Sequence, residues 1–188
     1  MAAVNPSLVF KAWAVWLFLL LPALHAPIAE ATCRGGTGLN ASAEAVLKSR
    51  FPGWKVVTLA DLDSYEREAW QTVRPGRCPG VVWGKFGPRL EGYAVTLIKT
   101  LGVDRHREML VLLTKTPHRY SPIIVAPDSE EDGHVGVVWE APAGVYEEVE
   151  SDRKVKTAWP VMMYEDIGAA LAAYYWVNGK FKHLLLSE

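Results

Sequence analysis

Sulfur is scarce in this chain, which holds only Cys33 and Cys78 besides four methionines. With no third thiol and no histidine at ligand spacing, the sequence offers no Cys/His zinc site. An excess of either charge is absent too. Twenty basic and 21 acidic residues leave a formal net charge of −1, and nothing in that balance calls for nucleic acid. No apolar run reaches the roughly 20 residues that a membrane-spanning helix needs, because the longest, Ala12 to Leu24, is shorter and is interrupted by Pro22. A Gly-x-Ser-x-Gly nucleophile elbow, an EF-hand register, an exact internal repeat and a linker rich in Ser, Gly or Pro are all missing, which leaves one domain as the default.

What is present begins with an export pattern. The α-amino group and Lys11 precede the apolar run, and a polar stretch then ends in the small-x-small triplet Ala29-Glu30-Ala31. Residues 1–31 therefore read as a cleaved signal peptide, and 32–188 as a single domain delivered to the periplasm or the extracellular space. Membrane contact is expected only through the signal peptide during export. Glu30-Ala31-Thr32 lacks the residues of a lipid-attachment box, so Cys33 becomes the second residue of the mature chain. In an oxidising compartment a lone pair of cysteines tends to join, and a Cys33–Cys78 disulfide is expected. Six tryptophans (Trp54, Trp70, Trp83, Trp139, Trp159 and Trp176) survive processing and supply large side chains for a core.

Local patterns predict an α+β fold: an antiparallel β-sheet of hairpins or a meander with two short N-terminal helices. The first helix spans Ala43 to Phe51 behind Asn40 or Ser42 as cap and stops at Pro52-Gly53. The second starts at the capping-box-like Asp63-Ser64-Tyr65-Glu66 and runs to about Val73. Strands are expected at Trp54–Leu59, Val81–Phe86, Tyr93–Thr100, Glu108–Lys115, Pro122–Ala126, Val135–Glu140, Lys154–Ala158, Val161–Tyr164, Ala169–Val177 and Lys180–Leu186. Asn178-Gly179 suits a type I′ turn, since both residues tolerate positive φ. The strand spacing resembles that of one or two propeller-like blades.

From Cys78 to Val95 the sequence reads CPGVVWGKFGPRLEGYAV and resembles the FG-GAP or VCBS-type unit of secreted bacterial β proteins. Gly84 and Phe86 match that family's turn, and Tyr93-Ala94-Val95 matches its returning strand. The resemblance implies a calcium loop between them, but Lys85 stands where the first aspartate is expected and Arg89 lies inside the loop. Two cations oppose a divalent ion, so no metal ligand carries over and no cofactor is implied.

The remaining candidates are groups of residues without a motif. Asp128-Ser129-Glu130-Glu131-Asp132-Gly133 reads as a solvated acidic turn, with His134 beside it. Trp83, Trp139, Trp159 and Tyr146 offer flat faces for sugar rings, or else serve as cross-strand packing. Lys85, Arg89, Lys99, Arg105, Arg107, Lys115 and Arg119 mark strand ends as a mixed surface. The expected function is a non-catalytic binding or accessory domain whose partner is an envelope protein or a glycan. The alternative is a small secreted hydrolase assembled in three dimensions, with His106 or His118 as base.

Overall fold

The computed structural model describes Cys33 and residues 36–103, 105–151 and 153–187; the expected signal peptide lies outside these described residues. Helix α1 (Ala41–Arg50) begins where Asn40 Oδ1 accepts the Ala43 N–H at 2.9 Å, satisfying one of the orphan donors of a first turn. Its buried residues are Ala43 and Leu47. After Phe51, Gly53 turns the chain at φ +83°, a conformation glycine adopts without steric cost. Strand β1 is only Lys55–Val56, shorter than the expected Trp54–Leu59. Asp61 Oδ2 accepts from the backbone N–H and the hydroxyl of Thr58 at 2.9 and 2.7 Å, and this local turn draws the chain off the sheet edge. Helix α2 (Ser64–Val73) has the complete reciprocal capping box between Asp63 and Glu66 and buries Trp70 and Glu66.

Strands β2 (Val81–Lys85), β3 (Glu91–Gly102), β4 (Arg105–Lys115) and β5 (Tyr120–Asp132) form an antiparallel sheet in which β1 and β2 share one edge of β3. Alternation along β3 and β4 sorts the side chains by face. Val95, Leu97, Met109, Val111 and Leu113 pack under α1 with Ala43 and Leu47. Ala94, Leu110 and Leu112 face a second sheet and meet its Val138 and Met162. That sheet orders β6 (Val137–Ala141), β9 (Val161–Asp166), β10 (Ala170–Val177) and β11 (Lys180–Ser187) as β11-β10-β9-β6, all antiparallel. The hairpin β7 (Val145–Glu147) and β8 (Lys154–Lys156) covers its outer side, where Tyr146 and Val155 pack with Met163, Tyr175 and Leu184.

The two sheets are stitched along one side by the Val138 N–H donating to Pro79 O at 2.7 Å. Trp70 of α2 fills one end with Leu62, Ile98, Val137 and Ile167. The protein is thus mostly antiparallel β-sheet, with two short helices among the described residues and no closed barrel. The Cys33–Cys78 disulfide is formed, joining the segment before α1 to the start of β2. No helix among the described residues is long and apolar enough to cross a membrane.

Two local readings are corrected. The acidic run is not a turn: β5 continues to Asp132, with Arg107 opposite Glu130 and Arg105 opposite Asp132 in register. Arginines on β4 neutralise part of the run, through Arg107–Asp128 and Arg105–Glu130 ion pairs, and opposite charges across a ladder favour strand extension. The short β7 had no sequence signal, since its burial comes only from lying over the second sheet. The β2–β3 connection is a tight hairpin in which Phe86 N–H donates to Leu90 O at 3.0 Å and Phe86 is wholly buried.

Candidate functional site

At one end of the sandwich the start of α2, the β5–β6 loop (residues 133–136), β4 and the end of β9 converge on carboxylates and histidines. Glu66 belongs to the first turn of α2. Its Oε2 accepts the Asp63 N–H at 2.8 Å, and Asp63 Oδ1 accepts the Glu66 N–H at the same distance. Glu66 Oε1 lies 2.7 Å from His134 Nδ1 on the loop. The glutamate is 1% exposed, whereas the His134 side chain is 53% exposed. The bond to Glu66, followed by the nearby Asp166 charge, raises the His134 pKa above its usual value, as anionic neighbours favour the imidazolium.

A second carboxylate sits deeper, on the face of β4 that looks toward the other sheet. Glu108 is 3% exposed. Its Oε1 meets His106 Nε2 at 2.8 Å and accepts the Gly136 N–H at 2.9 Å, while Oε2 accepts the Tyr164 hydroxyl. Burial raises the Glu108 pKa against the opposing pull of Tyr164, Gly136 and His106. Burial, then the Glu108 charge, also pushes the Tyr164 phenol well above the ordinary range. Gly136 is required by this closeness: a Cβ there would stand 2.3 Å from the Tyr164 hydroxyl and 2.8 Å from Glu108 Oε2.

Asp166 ends β9 beside this cluster. Its Oδ1 is buried without a hydrogen-bond partner. Its pKa is raised, first by burial and then by the balance of its neighbours, where Glu66 and Glu131 raise it and His134 and His106 lower it.

Asp63, Glu66 and His134 bring ligand atoms within 4.8 Å of one another. Two of those carboxylate oxygens already cap backbone donors, and the positive end of the α2 dipole opposes a cation at this point. The triplet is built first as a helix cap and loop tether.

The residues singled out from the sequence are dispersed. Trp83 lies edge-on to Tyr93, with ring centroids 4.7 Å apart. Trp139 is covered by the Arg74 guanidinium at 3.9 Å and donates through Nε1 to Glu165 at 3.0 Å. Trp159 sits 5.1 Å from Lys85 Nζ, and Tyr146 donates its hydroxyl to Pro142 O in the small hairpin. Trp139 and Tyr146 pack against the same cluster on the outer side of the second sheet, whereas Trp83 and Trp159 stand apart from it. His106 is buried against Glu108, whereas His118 is exposed in the β4–β5 turn. Among the described residues neither histidine bonds to a serine, threonine or cysteine. Glu66, Glu108, Tyr164 and Asp166 were not anticipated as site residues, although Glu66 was visible as half of the capping box. No known protein family, curated protein or solved structure matches this chain.

Proposed function

We propose that the protein is an exported, disulfide-stapled binding domain, not an enzyme, and that it docks a positively charged segment of an envelope protein on the carboxylate–histidine end of the sandwich. The observation that carries the reading is Asp166, whose Oδ1 is buried without a hydrogen-bond partner in a setting where Glu66 and Glu131 raise its pKa and His134 and His106 lower it. A carboxylate oxygen buried without a donor is costly, and a cationic group from a ligand reaching this partly exposed side chain would relieve that cost. Export is supported by the leader pattern of residues 1–31 and by the disulfide, which persists in oxidising compartments. The hydrolase reading lacks support because, among the described residues, neither His106 nor His118 bonds to a serine, threonine or cysteine that it could activate. A glycan platform draws no support from these aromatics, since the Trp139 face is covered by Arg74 and the Tyr146 hydroxyl is tied to Pro142. The proposal depends neither on the blade-like strand spacing nor on the FG-GAP resemblance.

The test is a titration of the mature, oxidised protein with fluorescent lysine-rich and acidic peptides and with a peptidoglycan fragment. The basic peptide should bind, weaken with salt, and be lost in Asp166→Asn. Binding of the glycan alone, abolished in Trp83→Ala or Trp159→Ala, would overturn the proposal. Export is checked by intact mass: the chain should begin at Thr32 and be lighter by two hydrogens.

A further inference from the structure

We propose that the β5–β6 loop is a proton-controlled latch, docked on α2 through His134 and Glu66 when the imidazole is protonated and released when it is neutral. The loop starts at Gly133, whose φ of +90° is a conformation glycine adopts without steric cost, so this end offers a hinge, and it ends at the closely packed Gly136. Between them, Val135 anchors the loop in the apolar cluster around Trp70. The polar fastenings among the described residues both end on buried carboxylates: His134 on Glu66 from α2, and the Gly136 N–H on Glu108 from β4.

The surroundings of His134 decide which state of the ring closes the latch. From α2 it faces Asp63 and Glu66, and from β9 Asp166. Glu131 of β5 and His106 of β4 act on Asp166 in turn, while Glu108 is taken up by His106, Gly136 and Tyr164. The nearby arginines are spent on other acids, Arg107 on Asp128 and Arg105 on Glu130. An imidazolium at position 134 is therefore the cation that faces Asp63, Glu66 and Asp166 together. When it loses its proton the buried Glu66 carboxylate loses its cationic partner while the exposed Asp63 and the partly buried Asp166 remain beside it, and repulsion from these like charges is no longer offset. Lifting the loop admits water to Glu66 and to the unpartnered Asp166 oxygen, which relieves both costs. The exposure of the ring lets protons reach it without prior opening.

The latch is independent of the peptide-binding reading, because it is tested on the protein without a ligand. Amide hydrogen exchange of the oxidised mature chain is followed by NMR between about pH 5 and 8, with intrinsic rates divided out. Protection of the Gly136 N–H, which donates to Glu108, should fall with a slope of up to about tenfold per pH unit between the midpoint of the free imidazole and the raised midpoint of the docked one, and level off above it, while protection in α1 stays level. His134→Gln should hold the loop in its less protected state at every pH. His134→Lys, charged throughout, should keep it protected. Protection independent of pH in the unmodified chain, an unchanged transition in His134→Gln, or pH-dependent opening in His134→Lys would each overturn the latch.

Discussion

Glu108 is the residue on which most of the polar interior turns, because three donors from three segments end on its two oxygens. Removing one of them leaves a buried carboxylate short of a bond, and hydrogen bonds to charged groups contribute about 2 kcal/mol each. Tyr164→Phe, which deletes only the hydroxyl, should lower unfolding free energy by that amount in urea titration, with an unchanged slope. Gly136→Ala tests the same junction by volume. Its methyl would meet the Tyr164 hydroxyl and Glu108 at distances no real Cβ tolerates, so a destabilisation of about 2 kcal/mol from forced displacement is expected. A variant as stable as the parent would mean that loop and β9 are not packed as described.

Among the elements, α2 does two things at once: it closes the sandwich with Trp70 and presents Glu66 to the loop. Asp63→Ala should cost about 1 kcal/mol by removing the cap, read as a shift of the denaturation midpoint. It should also loosen Glu66 and with it the loop, visible as faster exchange at the Gly136 N–H that donates to Glu108. Much of this element level was legible in the sequence because the signals are local. Asp63-Ser64-Tyr65-Glu66 gave the start of α2, and Asn178-Gly179, found at φ +50° and +81°, gave the closing hairpin. The aromatic run Tyr174-Tyr175-Trp176-Val177 marks strand β10, which spans Ala170–Val177 within the expected Ala169–Val177. The extension of β5 through Glu130-Glu131-Asp132 was hidden because its support is Arg105 and Arg107 on another strand. The site was hidden for the same reason, with Glu66 and His134 separated by 68 positions and Glu108 and Tyr164 by 56. Burial of an acid depends on what folds over it, and no local pattern records that.

At the scale of the molecule, the disulfide and the ionisable interior set how stability responds to conditions. Cys33 and Cys78 close a loop of 45 positions, for which the entropic model gives about 4 kcal/mol. Reduction should therefore lower the melting temperature markedly, and α1, held near the bond, should fray first by hydrogen exchange. The response to pH follows from the groups whose pKa moves on folding. Glu108, Asp166 and Glu140 are raised, each first by burial, and His134 is raised by its bond to Glu66. A raised group binds its proton more tightly when folded, so its contribution is complete below the unfolded pKa and is lost as pH climbs through the folded one. Asp61 runs the other way: burial pushes it up, but the bonds from Lys55 and Thr58 prevail and its pKa is lowered. Its contribution is present above the usual carboxylate range and disappears as pH falls through the depressed value. Between these limits the raised groups dominate, and the melting temperature should peak in weak acid and decline from about pH 5 to pH 8. His134→Gln should remove the upper part of that decline and leave the lower part, which belongs to Glu108, Asp166 and Glu140. A melting temperature that is flat or rising over the interval would show that these carboxylates are solvated in the folded chain, and with them the end of the sandwich proposed to bind a cationic segment.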